Sequence, residues 1–241
     1  MAVFRRLVLV ALCAGLLSGI FATAAHQIGT VPVILKAEMY EKAAEHEKAA
    51  EHQAASVQAH EHSAAWEPEN GAERTAYTLI ADVLTGIGFA LLLAAGLTLR
   101  GGEVTWRAGL FWGLAGFAAF TIAPGLGLPP QVPGSETAPL FERQAWWLVT
   151  AVSTGGALAL FSFTRRVPWA ILAAILIVLP HLYGAPQPMD HSTGAPESLA
   201  RQFVVAVTIV SFLFWLILGA STGYFFQRFH RRIDPGARVS P

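Results

Sequence analysis

The side chains best suited to chemistry lie in one hydrophilic stretch, 36–74, which is rich in histidine and glutamate. The six-residue sequence EKAAEH occurs there twice in succession. Neutral imidazole and carboxylate suit borderline divalent ions such as cobalt, nickel or zinc. We therefore expect this stretch to collect such ions through weak, exchangeable ligands. The candidate ligands in it are His46, His52, His60, Glu61 and His62.

The spacing of these histidines leaves a second interpretation open. Alanine, glutamate and lysine favour a helix that continues to about Ser56. On a helix His46 and His52 lie about 120° apart, so one ion cannot readily bridge them. His60 and His62 can share an ion only from an extended loop. The alternative is a solvated acidic hairpin that has no role in metal binding.

Three further ionisable residues, His26, Asp82 and His181, lie in or beside long apolar stretches. An aspartate within a membrane span costs several kcal/mol to insert and is by default a functional candidate. An imidazole can exchange its proton for a metal ion near neutral pH. We expect the three to line the outer mouth of a cation path. The alternative places all three in the wet headgroup zone without a function.

The composition excludes several other classes of protein. The 241 residues are 54% hydrophobic and 13% charged, against about 25% charged in a soluble domain. With a formal net charge of zero, nothing favours nucleic-acid binding by bulk charge. The single cysteine, Cys13, excludes an internal disulfide. No phosphate-binding loop and no hydrolase motif is present, so we expect neither an enzyme nor a tightly bound cofactor.

Apolar stretches of about 20 residues, the length that crosses a bilayer, indicate a membrane protein. We predict an all-α, polytopic bundle of about six spans, forming a single integral-membrane domain over 1–241, with 36–74 as a periplasmic loop. The fifth span reaches only about 24 Å, so it either crosses a thin zone of the membrane or stops short of the far side. The predicted spans are 7–29, 76–99, 108–128, 145–164, 168–183 and 202–226.

The arginines predict the orientation. With six spans, most of them fall on one face, which the positive-inside rule makes cytoplasmic. Both termini are then cytoplasmic, and we expect the bacterial inner membrane. The alternative is a cleaved signal peptide ending near 22–24. The arginines on the predicted cytoplasmic face are Arg5, Arg6, Arg100, Arg107, Arg165, Arg166, Arg228, Arg231, Arg232 and Arg238.

Small residues recur at the spacing that brings membrane helices into close contact. These pairs predict tight helix packing and carry no chemistry of their own. They are Gly15 with Gly19, Gly109 with Gly113, and Gly219 with Gly223.

Four segments together resemble the CbtA family of predicted cobalt transporter subunits. In order they are FRRL at 4–7, PVILKAE at 32–38, APGLGLPPQVPG at 123–134 and RQAWW at 143–147. The resemblance extends over about 4–227. It implies cobalt import for cobalamin synthesis, together with a small single-span companion that carries a histidine-rich motif. One departure is Gln131, at a position where the family often carries glutamate.

From the residues and the resemblance we expect the membrane subunit of a divalent metal importer. Cobalt(II) is the expected cargo, with nickel or zinc as alternatives, and the lipid bilayer is the expected surroundings. His26, Asp82 and His181 would form the entrance, and the loop ligands would concentrate ions before it. The rival hypothesis is a membrane-anchored metal buffer or sensor that does not itself transport.

Overall fold

A computed structural model describes residues 2–54, 68–164, 166–188 and 195–233. These parts of the chain are almost entirely helical, as predicted. In chain order the helices are α1 (Ala2–Gly29), α2 (Val31–Ala54), α3 (Ala72–Arg100), α4 (Trp106–Phe117), a π-helix (Ala118–Ile122), α5 (Ala123–Gly127), α6 (Leu140–Phe163), α7 (Val167–Tyr183) and α8 (Glu197–Ile233).

Within the described residues, five helical segments are long and apolar enough to cross a membrane. They are Val3–Gly29, Ala72–Arg100, Trp106–Gly127, Leu140–Phe163 and Glu197–His230. The predicted fifth span corresponds to α7, a shorter apolar helix of 17 residues that extends about 26 Å and packs against α6. The chain is therefore a membrane helix bundle, and its sixth crossing stays a prediction.

The glycine pairs predicted from the sequence hold the central helices together. Helix α1 packs between α3 and α8, and α4 packs along α8. A Cβ atom added at Gly19 of α1 would lie 2.5 Å from the Cα of Val83 in α3. One added at Gly219 of α8 would lie 2.7 Å from the Cα of Gly113 in α4. Since no larger side chain fits at these distances, the prediction of close packing is confirmed.

The start of α1 and the last turns of α8 meet at one end of the bundle, which we call the arginine end. There the Nη1 atom of Arg6 in α1 donates a hydrogen bond to Nδ1 of His230 in α8 (2.6 Å). The Arg6 guanidinium also lies 4.6 Å from the centre of the Phe226 ring. The start of α1 and the last turns of α8 are thus neighbours, as an even number of crossings requires. That this end is cytoplasmic stays a prediction.

The opposite end, which we call the acidic end, carries α2. The predicted helix through the EKAAEH repeat is confirmed, since α2 extends to Ala54. Its first turns are held by Ala37, which is fully buried against Val132 and Phe203. Arg74 at the start of α3 also pairs with Glu38 at 2.7 Å. These contacts place the repeat just beyond the apolar bundle.

Candidate functional site

The structure brings together two of the ionisable residues predicted at membrane depth. His26 lies near the end of α1, and Asp82 lies ten residues into α3, about 15 Å along that helix. Their closest atoms, Nε2 of His26 and Oδ1 of Asp82, are 3.9 Å apart. The side chains are 28% and 19% exposed, respectively. The pair is therefore partly buried, and too far apart for a direct hydrogen bond.

Hydrogen bonds at the end of α1 indicate which nitrogen of His26 carries the hydrogen of the neutral ring. The hydroxyl of Thr30 donates to the carbonyl oxygen of His26 (3.2 Å). Its oxygen lies 2.9 Å from Nδ1 of the same ring. With the Thr30 proton used in that way, Nδ1 carries the hydrogen of the neutral ring and donates it to Thr30. The lone pair then lies on Nε2, the nitrogen that faces Asp82.

Asp82 is oriented from the same helix. The hydroxyl of Thr23, one turn before His26, lies 2.8 Å from Oδ2 of Asp82 and donates to it. This hydroxyl also lies 3.0 Å from the carbonyl oxygen of Gly19. Oδ2 is thus held in place, while Oδ1 is the oxygen that faces His26. Partners of this kind, which orient a ligand without touching the metal, commonly accompany metal sites.

The pair opens into a cavity of about 240 Å³, which we call the cation pocket. Five elements supply its walls, namely α1, α3, the π-helix, α6 and α8. Besides His26 and Asp82, three hydroxyl side chains line it, those of Thr85, Thr121 and Ser211. Its aromatic lining residues are Phe89, Phe120, Trp147, Phe214 and Trp215.

The aromatic rings pack tightly against one another. Phe120 stacks on Trp215 with 5.7 Å between ring centres and 11° between planes. Phe89 lies 4.9 Å from Phe120 and 4.7 Å from Trp215. These rings form an apolar wall beside the polar groups.

The π-helix has a local cause in the sequence. Pro124 cannot donate a backbone hydrogen bond, and its ring crowds the carbonyl four residues earlier. The helix widens just before it, and the amide of Ala123 bonds to the carbonyl oxygen of Ala118, five residues back. Two π-helix residues, Phe120 and Thr121, line the cation pocket. Such wide turns are frequent at functional sites.

His181 of α7 lies in a different environment, which we call the His181 cluster. Its Nδ1 is 2.9 Å from the carbonyl oxygen of Ile177, and its Nε2 is 3.0 Å from that of Ala123. The edge of Trp146 packs against the ring, and the Trp146 indole donates to the Pro180 carbonyl (3.1 Å). His181 does not line the cation pocket. The predicted trio is thus divided into a pair and a separate histidine.

The loop ligands are only partly covered by the structure. His46 is exposed on α2, and His52 lies on the same helix. The three remaining predicted ligands, His60, Glu61 and His62, lie outside the described residues. In the part of the chain that is described, no group of three or more histidine, cysteine, aspartate or glutamate side chains is close enough to hold a metal ion. The loop ligands stay predictions.

Sequence reasoning missed the hydroxyl groups around the pair. Thr23 and Thr30 stand three residues before and four residues after His26, a spacing that brings side chains to one face of a helix, with Thr30 directly after the last residue of α1. That spacing was the available signal. Thr121 and Ser211 carry no comparable signal, because only the packing of the π-helix and α8 brings them to the pocket.

Comparison with known families identifies the family of the chain. The family model described as probable cobalt transporter subunit (CbtA) matches residues 4–227, nearly the whole chain. The chain belongs to this family. A search of the curated proteins and one of the solved structures gave no match. A CbtA protein is therefore a multi-pass membrane protein, and its description as a subunit implies a partner.

Proposed function

We propose that this CbtA protein is the membrane subunit of a cobalt importer and that the cation pocket binds the ion during its passage. In this proposal it lies in the bacterial inner membrane and supplies cobalt for cobalamin synthesis. One observation carries the proposal. His26 and Asp82 lie 3.9 Å apart in a pocket where five helical elements converge within the apolar bundle.

The separation of the pair supports binding of one ion between the two groups. Imidazole nitrogen and carboxylate oxygen each lie about 2.1 Å from a divalent metal such as zinc. Two such ligands are then about 3.0 Å apart at right angles and about 4.2 Å apart on opposite sides of the ion. The observed 3.9 Å falls within that range.

The composition of the pocket suits an ion that must leave again. It offers one imidazole and one carboxylate, with the hydroxyl groups of Thr85, Thr121 and Ser211 nearby. Structural metal sites use four strong ligands, whereas hydroxyl groups and water exchange readily. The single carboxylate also offsets only part of the charge of a divalent ion. These features favour transient binding.

The acidic end completes the proposed route. The glutamates and histidines of the EKAAEH repeat would raise the local concentration of cations before they reach the pocket. A small single-span companion subunit with a histidine-rich motif is part of the proposal. The chain carries no phosphate-binding loop for ATP hydrolysis, so an ion gradient or another subunit supplies the energy.

Radiolabelled cobalt uptake tests the proposal directly. Cells that also express the companion would carry the wild type, Asp82→Asn, a deletion of residues 41–62, or Glu103→Gln. Glu103 is the matched control, because it is an exposed carboxylate in the turn between α3 and α4. We expect Asp82→Asn to reduce uptake at least about tenfold, which corresponds to 1.4 kcal/mol or more. Glu103→Gln should change nothing, and the deletion should raise the cobalt concentration needed.

The rival function is a membrane-anchored buffer or sensor, favoured by the exposed histidine and the glutamates on α2. It predicts that cell-bound cobalt disappears with the deletion of 41–62 while Asp82→Asn has no effect. Uptake equal to that of empty cells for every variant, with the membrane level of each protein verified, would also contradict the importer.

A further inference from the structure

A second and larger cavity lies at the acidic end, which we call the vestibule. Its volume is about 990 Å³. Its walls are formed by the proline-rich loop 127–138, the first turns of α6 and residues 186–188. Trp147 of α6 lines both the vestibule and the cation pocket. A molecule held in the vestibule would therefore lie one side chain away from the pocket.

Arg143 of α6 lines the vestibule, and among the described residues its side chain has no partner. Its buried Nε atom has no hydrogen bond, and its guanidinium forms no ion pair with any residue that the structure describes. A buried donor of a charged group that is left without an acceptor costs more than a neutral one. The arrangement thus leaves one buried donor of this cationic group without an acceptor in the described chain.

The other two arginines described at this end provide the contrast. Arg74 lies 2.7 Å from Glu38, and Arg201 lies 3.5 Å from Glu197 on the same face of α8. An acid is also present in the vestibule, since Glu136 lines it. Glu136 is exposed and forms no ion pair with Arg143. The missing counter-charge of Arg143 is therefore not supplied by the described chain.

The surroundings of Arg143 suit an oxyanion. Three amide side chains line the same vestibule and can donate further hydrogen bonds, those of Gln131, Gln144 and Gln187. The first turn of α6 also faces it through Leu140, and the start of a long helix favours negative charge. A guanidinium presents a planar fork that matches a carboxylate or a phosphate.

We propose that Arg143 binds the oxyanion of a small soluble ligand, a carboxylate or a phosphate group, within the vestibule. The site does not depend on the proposed transport, because it rests on the vestibule alone. If the protein also passes a divalent cation, a bound oxyanion would neutralise the positive charge of Arg143 in the vestibule.

Isothermal titration calorimetry tests the site without any metal. Full-length protein in nanodiscs of phosphatidylcholine would be titrated separately with citrate and with inorganic phosphate. The variants are Arg143→Gln, Arg143→Lys, Gln131→Glu and, as a control, Arg201→Gln at the same end. Thermal melting of each variant would verify its folding.

We expect saturable binding of at least one of the two anions to the wild type. Arg143→Gln should weaken it at least tenfold, and Arg143→Lys should weaken it less, because the charge remains while the fork is lost. Gln131→Glu should weaken it through the added carboxylate, and Arg201→Gln should leave it within twofold.

Three results would overturn the proposal. One is the absence of saturable binding of both citrate and phosphate by the folded wild type. Another is equal weakening by Arg143→Gln and Arg201→Gln, which would indicate a general effect of surface charge. The third is the loss of citrate and phosphate binding when the same titrations are repeated in nanodiscs that contain phosphatidylglycerol, which would make a lipid headgroup the ligand.

Discussion

Two histidines at membrane depth, His26 and His181, show how differently one residue type is used in this bundle. Both rings are half-buried, and both lie in the last turn of an apolar helix. At His26, Nε2 faces the carboxylate of Asp82 across 3.9 Å. At His181, both ring nitrogens lie within 3.0 Å of backbone carbonyl oxygens. One ring faces a cavity, and the other joins helices.

The difference lies in what an incoming metal ion would have to displace. Nε2 of His26 offers a lone pair once Nδ1 donates to Thr30. At His181 both nitrogens face acceptors, and only the ring with two N–H groups satisfies both. A metal ion there would have to break the link between α7 and the carbonyl of Ala123. A histidine within a span is therefore a ligand candidate only if its partners leave a nitrogen free.

The largest contrast should come from replacing His26 with glutamine, which removes the imidazole from the pocket. We expect the cobalt concentration for half-maximal uptake to rise about 100-fold, equivalent to about 2.7 kcal/mol of lost binding. The matched variant His181→Gln should leave that concentration within about twofold. Uptake would be measured with radiolabelled cobalt and divided by the amount of folded protein. An equal rise in the half-maximal cobalt concentration in both variants would contradict the proposed difference between His26 and His181.

A smaller effect is expected from Thr23→Val, which keeps the side-chain shape and removes the hydroxyl that donates to Asp82 (2.8 Å). Loss of an orienting partner commonly costs 10–100-fold in metal affinity, and here we expect about tenfold in half-maximal cobalt. The control is Thr208→Val, since Thr208 donates to Val204 within α8 (2.7 Å). If the control variant weakened uptake equally, the hydroxyl of Thr23 would have no specific role.

The helices and their closest contacts could be predicted from the sequence because their signals are local. Apolar runs identified each long helix, and the spacing of Gly109 and Gly113 on α4 matched that of Gly219 and Gly223 on α8. The second half of α2 was also predictable, from its alanine-rich repeat. These features depend on neighbours along the chain, so no three-dimensional information was needed.

The division of the predicted trio could not be foreseen, because it depends on how α7 packs. Counting residues from the membrane surface gave His26, Asp82 and His181 a similar depth. Depth does not reveal the direction of a side chain, and His181 points to the carbonyl that follows the π-helix. The partner of Glu38 was likewise a matter of packing, since Arg74 is 36 positions away in the chain.

The smallest effect should come from replacing the α2 histidines, which lie beyond the apolar bundle and can be compared with His26 inside it. Replacing His46 and His52 together with asparagine removes two imidazoles beyond the apolar bundle and keeps all the glutamates. If they only concentrate ions, half-maximal cobalt should rise about twofold while maximal uptake stays constant. The same uptake assay measures both values. A rise larger than that of His26→Gln would reverse the ranking, because the strongest ligands would then lie outside the membrane and the cation pocket would be only a passage.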